Sequence, residues 1–162
     1  MKHRSALLLE KRRGRRTLLA ELVQEAGFLL VVEASSETNA LECLKRINFD
    51  MVFVEVSGAR DPFFMLVRDI RNDRTRNFRV PIIIVSALTH RGIIERMRDI
   101  GASGFLPRPF SRGLVQLQVA RGLKDARPFI ETETFVGPDR RRWNDPGFSG
   151  PDRRTADNFA FI

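Results

Sequence analysis

The chain is 162 residues long, 43% hydrophobic and 30% charged, which suits one globular domain with an appendage and is short for two ordinary domains. A mean hydropathy of −0.23 with 13 phenylalanines excludes a wholly disordered chain, and no apolar run approaches the ~20 residues of a membrane-spanning helix. The formal net charge is +8; six Arg against seven Asp or Glu fall in residues 125–162, so the excess belongs to the rest of the chain.

The early apolar run Ala6–Leu9 is cut off by Lys11, Arg12 and Arg13, far short of the ~7–15 apolar residues of a secretory signal. A cytoplasmic protein without membrane insertion is expected. Cys43 has no partner for a disulfide and reads as a small core residue between Leu41 and Leu44. His3 and His90 are too few and too far apart for a zinc site.

Short apolar runs alternate with helical patterns. Residues 5–10 read as a strand and 15–26 as a helix closed by Gly27, with Leu18, Leu19, Leu22 and Val23 on its apolar face. Lys11, Arg12, Arg13, Arg15 and Arg16 at its start are read as a solvated face in preference to an anion site. A second strand over 28–33 precedes a helix over 36–47. The continuous apolar runs at 50–55 and 80–86 suit central parallel strands covered on both faces.

Between those two runs, Asp61 caps and Pro62 opens a helix over 62–71. Thr89 caps a further helix carrying Ile93, Met97 and Ile100 and ended by Gly101. Residues 103–106 form a fifth strand, and 111–124 a last helix with Leu114, Leu117 and Val119 inward. Five βα units predict an α/β fold: a five-stranded parallel, doubly wound, flavodoxin-like three-layer sandwich over residues 1–124.

Residues 125–162 change to turn chemistry, with Pro128, Gly137-Pro138, Asp145-Pro146-Gly147 and Gly150-Pro151. This extended C-terminal tail holds a repeat: Phe135-Val136-Gly137-Pro138-Asp139-Arg140-Arg141 is echoed by Phe148-Ser149-Gly150-Pro151-Asp152-Arg153-Arg154. Two copies are too few for a solenoid, and the tail is read as an arm that docks on the domain or on another protein. Arg140, Arg141 and Arg142 beside Trp143, with Arg153 and Arg154, are the candidate tail binding residues, since guanidinium forks beside an indole suit a phosphate or nucleotide.

In an open parallel sheet ligands bind at the carboxyl ends of the strands. Glu10, Lys11, Glu55, Ser86, Pro107 and Arg108 stand there. No Gly-rich phosphate loop follows the first strand, and no Ser, His and Asp arrangement is suggested.

These residues resemble the receiver domains of bacterial response regulators, of which the single-domain chemotaxis regulator is the simplest form. The likeness covers about residues 5–124. In that family an acidic pair follows the first strand, a phosphoacceptor Asp ends the third, Ser or Thr then Ala ends the fourth, and Lys-Pro follows the fifth. Glu10-Lys11, Glu55, Ser86-Ala87 and Arg108-Pro109-Phe110 stand at those places, after a run Gly101-Ala102-Ser103-Gly104-Phe105-Leu106-Pro107 that is similar to the family's. The tail with its Gly-Pro-Asp-Arg-Arg copies is similar to tails on some alphaproteobacterial receivers.

The resemblance implies a cytoplasmic two-component, phosphorelay or chemotaxis-type role carried out by protein contact, with no enzyme turnover. A histidine kinase, a regulator or a motor component would be the partner. It also gives Ser86 and Phe105 the switch positions and Arg108 the position of the family's lysine. The departures predict altered chemistry. Lys11 puts an ammonium where the family has a carboxylate, so Mg²⁺ binding is expected to be impaired and no cofactor is assigned. Glu55 is a methylene longer than the family's Asp, and Arg108 brings a fork suited to carboxylates.

Glu10, Lys11, Glu55 and Arg108 are therefore expected to form a metal-free cluster of two anions and two cations; the bland alternative is an unused pocket with all four solvated. Phe105 is expected to be buried and Ser86 to serve as a strand-end hydrogen-bonding residue. The face from His90 to Lys124, with Arg91, Arg96, Arg98, Arg112 and Arg121, is expected to meet an acidic partner or a second copy. Other readings stay open: an effector whose tail clamps a cyclic dinucleotide, and a receiver phosphorylated in an atypical way. Nucleic acid is not an expected partner, since a pI near 11.0 and one basic helix are its whole basis.

Overall fold

The structure is a computed structural model, and it describes residues 3–58, 60–72, 76–125 and 127–140. Five parallel strands, β1 (Arg4–Leu9), β2 (Phe28–Ala34), β3 (Met51–Glu55), β4 (Ile82–Ser86) and β5 (Gly104–Pro107), lie in the order β2-β1-β3-β4-β5. Between and after them run α1 (Arg13–Glu25), α2 (Glu37–Arg46), α3 (Pro62–Asn72), α4 (Arg91–Asp99) and α5 (Arg112–Leu123). The strand order reverses at β1, so the carboxyl ends of β1 and β3 flank the crevice where such sheets bind ligands.

The period of two along each strand divides the core into two layers. Leu7, Leu9, Val52, Val54, Ile82, Ile84 and Phe105 face α2, α3 and α4. Ala6, Leu8, Met51, Phe53, Ile83, Val85 and Leu106 face α1 and α5. All five residues of β3 and of β4 are buried, which is why those runs show no polar alternation. Cys43 is a free thiol, partly buried against the first layer.

Several helix details depart from the sequence expectations. On α1, Leu18 is 50% exposed and Ala20 takes an inward place beside Leu19 and Val23. On α5, Leu117 is 44% exposed, and Val115, Gln118, Val119 and Gly122 face the sheet. The reason is close approach: a Cβ on Gly122 would stand 2.6 Å from Met51 Cε, so the helix lies too near the sheet for leucines on that stripe. His90, not Thr89, is the N-cap of α4, and its side chain makes no capping bond. Ser36 and Ser111 do cap α2 and α5, accepting from Asn39 N–H and Leu114 N–H. Gly27 and Gly101 end α1 and α4 with φ of 99° and 98°, the left-handed conformation that glycine adopts without strain.

The start of the tail is ordered into an antiparallel hairpin, β6 (Phe129–Glu131) with β7 (Val136–Pro138), Ile130 opposite Gly137. It lies on the side of α3, β7 packing against that helix. Beneath it is Arg71, 1% exposed. Its guanidinium donates to the carbonyls of Gly101 (2.8 Å), Phe78 and Val80 (2.7 Å each) and to Ser103 Oγ (3.3 Å). Burial pushes this guanidinium down to about 9, still charged at neutral pH. Arg71 also underlies the Phe129 ring, 5.5 Å from its centroid. Among the described residues no helix is long and apolar enough to cross a membrane.

Candidate functional site

Glu10 directly follows β1, Glu55 ends β3, Ser86 ends β4 and Arg108 follows β5. Register in the sheet brings them together, because parallel strands of similar length end on one edge. Arg108 donates through Nε to Glu55 Oε2 at 2.8 Å and through Nη2 to Glu10 Oε2 at 3.2 Å. The other oxygens are also engaged: Glu10 Oε1 accepts from the Arg12 N–H at 2.8 Å, and Glu55 Oε1 accepts from Arg15 Nη1 at 3.4 Å. Each of the four carboxylate oxygens thus accepts a bond from a protein donor.

The cluster expected from the sequence forms with one exchange. Lys11 is not in it. Its ammonium turns to Asp61 Oδ1 at 3.5 Å and lies 4.6 Å from the centre of the Phe63 ring, with its side chain half exposed. A strongly hydrated ammonium on a flexible stem keeps water where it can, and Asp61 offers a fixed carboxylate at the rim. Arg15 takes the fourth place. The basic start of α1 is therefore only partly a solvated face: Arg15 reaches Glu55, and Arg16 donates to Glu10 O at 2.7 Å and to Glu33 Oε2 at 2.8 Å. The overlooked signal was positional, since Arg15 sits in the first turn of a helix that begins at the strand ends.

Burial pushes the Glu55 carboxyl above its ordinary value, and Glu10 adds to this; Arg108 and Arg15 oppose it. Asp61 behaves in the opposite way. Burial raises it, but bonds from the Ser57 hydroxyl, the Ser57 N–H and the Phe63 N–H, together with Lys11, hold it below the usual aspartate range. Asp61 Oδ1 accepts from Phe63 N–H at 3.0 Å, the helix-capping role expected of it.

Ser86 is fully buried; its hydroxyl donates to Val56 O at 2.6 Å and accepts from Leu88 N–H at 3.1 Å. Phe105 is fully buried among the apolar residues of the α3 and α4 side. The Arg108 guanidinium lies 4.9 Å from the Phe110 ring centre, across a cis peptide bond between Arg108 and Pro109. Among the described residues no group of three or more His, Cys, Asp or Glu side chains could hold a metal ion.

On the face from His90 to Lys124 the expected basic character is partly neutralised within the chain. Arg91 pairs with Glu95, Arg98 with Asp99 and Arg112 with Glu25, while Arg96 stacks on the Phe64 ring. Of the tail candidates, Arg140 lies 3.9 Å from the Phe135 ring centre and pairs with Asp99 at 3.1 Å. Arg141, Arg142, Trp143, Arg153 and Arg154 lie outside the described residues.

The response regulator receiver domain family matches residues 6–120. This chain belongs to that family. The transcriptional regulatory protein PdtaR of Mycobacterium tuberculosis is 32% identical to this receiver over 108 residues, 67% of the chain and 51% of that protein. The chain thus spans about half the length of that relative. The chemotaxis protein CheY of Pseudomonas aeruginosa is 26% identical over 106 residues, 65% of this receiver and 85% of that protein.

Among solved structures, the Vibrio cholerae chemotaxis protein CheY4 superposes with a TM-score of 0.68 at 22% identity, covering 75% of this chain and all of its own. The receiver domain of the sensor histidine kinase PA1611 from P. aeruginosa superposes at 0.66 and 22% identity, covering 75% of this chain and 98% of its own; it was crystallised with magnesium in its active-site cleft. These likenesses establish the fold. The chain is a receiver of two-component or chemotaxis-type signalling.

Proposed function

We propose that this receiver signals by binding another protein while its strand-end pocket stays locked in one state, without magnesium and without phosphoryl transfer to Glu55. The observation that carries this reading is the Arg108 bridge between Glu10 and Glu55, with all four carboxylate oxygens already accepting bonds. Mg²⁺ demands near-octahedral oxygen ligands and gives up its waters reluctantly. Two carboxylates whose oxygens already accept bonds, three from guanidinium groups and one from a backbone N–H, would have to give up these partners or share them with the ion. Releasing them would leave Arg108 buried without partners, which costs more than the ion pairs contribute.

Glu55 is an incomplete stand-in for a phosphorylated aspartate, since it brings one charge and two oxygens against about −1.5 to −2 and three. Ser86 is already held by Val56 O and Phe105 is already inside, consistent with one fixed arrangement. The partner is a protein of the signalling pathway, a histidine kinase, a regulator or a motor component. It meets the α4 to α5 face, where binding weakens as salt rises because Arg96 and its neighbours steer an acidic surface.

The test is amide NMR of the purified chain with and without Mg²⁺ and beryllofluoride, a stable analogue of the phosphoryl group. An unchanged spectrum is expected. Shifts clustered at Glu10, Glu55, Ser86 and Arg108 would return the protein to the magnesium-dependent, switchable receivers.

A further inference from the structure

The first copy of the tail repeat is seated in a cradle whose demands can be read residue by residue. Phe135 is buried against the domain. Gly137 lies on Gly101 so closely that a Cβ on it would stand 2.8 Å from Gly101 Cα, and a Cβ on Gly101 would stand 2.5 Å from Val136 O. Pro138 pairs with Phe129 in the hairpin, and Asp139 N–H donates to Pro128 O at 2.7 Å. Arg140 closes the contact by lying on the Phe135 ring and pairing with Asp99 at the end of α4.

The occupant therefore needs an aromatic, a glycine two positions on, a proline, and an arginine three positions after the glycine. The second copy has them all: Phe148, Gly150, Pro151 and Arg153, with Asp152 as well. The strand paired with it differs between the copies. The offset between the copies sets Arg142, Trp143 and Asn144 at the places of Phe129, Ile130 and Glu131, and Asp145-Pro146-Gly147-Phe148 at the place of the loop Thr132–Phe135.

We propose that the cradle formed by Asp99, Gly101 and Arg71 is a docking site for two segments of this chain, residues 135–140 and the repeat 148–153, which exchange in it. Seating the second copy roughly doubles the length of chain between Lys124 and the docked phenylalanine. By loop-closure entropy that costs only about threefold in population, so the balance rests on the contacts, of which the two copies share those of the Phe, Gly, Pro and Arg. Exchange within one chain is favoured over exchange between chains, because the tethered copy is present at an effective concentration in the millimolar range. The contacts of the Phe, Gly, Pro and Arg are common to both copies, whereas the Phe129 ring on Arg71 belongs to the first alone. When the second copy is seated, the hairpin of residues 127–140 is freed. The Arg127 bond to Ser103 O and the Arg79 pair with Glu131 are then given up.

The chain has one tryptophan, Trp143, which makes the exchange visible. In the full chain carrying Phe135→Ala and Arg140→Ala, the Gly101 amide resonance is expected to stay near its wild-type position while Trp143 emission moves to shorter wavelength. Adding Phe148→Ala and Arg153→Ala should then shift Gly101 and reverse the Trp143 change. A synthetic peptide of residues 142–156 added to this fourfold variant should restore the Gly101 resonance. Unchanged amide resonances of Leu7 and Val54 confirm that the domain stays folded in each variant. The proposal is overturned if the first two substitutions alone shift Gly101 as far as all four do, or if the peptide at millimolar concentration leaves Gly101 unmoved.

Discussion

Arg108 and Glu55 meet across 53 positions of sequence, Nε to Oε2 at 2.8 Å, and this bond joins the loop after β5 to the end of β3. The same guanidinium reaches Glu10 after β1, so one side chain ties three strand ends together. Its partners are 2% and 8% exposed.

Arg108→Ala should therefore destabilise the domain by about 3 kcal/mol, the low end of the cost of breaking a buried ion pair, because Glu55 keeps Arg15 and Glu10 keeps the Arg12 N–H. Arg108→Lys should recover part of the loss, since an ammonium restores charge but not the fork. Urea unfolding followed by circular dichroism measures both. A loss under about 1 kcal/mol for the alanine variant would mean that the carboxylates are solvated.

The raised Glu55 carboxyl gives a signed pH dependence. A carboxyl whose folded value lies above its unfolded 4.5 binds protons more readily in the folded state. Its contribution to stability is full below 4.5 and is lost as pH rises through the folded value. Compared with Glu55→Gln, the wild type should lose unfolding free energy as pH rises above 4.5 and then level off. Asp61 acts in a separate window: its folded value lies below 3.8, so its contribution is present above 3.8 and is lost as pH falls further. Carboxyl-carbon NMR titration paired with unfolding at each pH separates the two.

Restoring the family's residues should restore a metal site. The triple variant Lys11→Asp, Glu55→Asp and Arg108→Lys supplies carboxylates and removes the bridging fork, and it should bind Mg²⁺ measurably by calorimetry where the wild type shows no heat. Absence of binding in the triple variant would shift the cause of the altered pocket to Arg15, the remaining guanidinium on Glu55.

Gly101 and Gly137 touch, yet their alanine variants should behave differently. Gly101→Ala forces an alanine to φ near 98° and drives its Cβ to 2.9 Å from Arg71 Cγ. A cost of about 1–3 kcal/mol for the backbone alone is expected, together with loss of the docked hairpin. Gly137→Ala strains only the arm, which should lift away with a much smaller change in domain stability. Hydrogen exchange at the Asp139 amide, which donates to Pro128 O across the hairpin, should speed up in both variants, and global unfolding should move appreciably only in the first.

The fold was legible in the sequence because each element satisfies a local rule. The runs at 50–55 and 80–86 had no polar alternation, and β3 and β4 are buried on both faces. Asp61, Ser36 and Ser111 marked helix starts that the structure keeps. Errors fell where packing overrides pattern: α5 turns Gly122 and Gln118 inward and Leu117 outward because Gly122 lies against Met51. Periodicity records which residues are apolar, not how near the helix comes to the sheet.

For the site, sequence alone determined which strand ends converge, since parallel order and βα alternation place Glu10, Glu55, Ser86 and Arg108 on one edge. Which cation would face which carboxylate was decided only by the tertiary structure. Lys11 adjoins Glu10 in sequence but turns to Asp61, and Arg15, read in the sequence as part of a solvated basic face, reaches Glu55 from α1. Side chains four to six bonds long can satisfy several partners, so their pairing depends on the final positions of helix and loop. The docking of the first repeat was likewise settled by the fold: only there does the left-handed turn at Gly101 lie beside Arg71 and Asp99, leaving room for a second glycine and a carboxylate for Arg140.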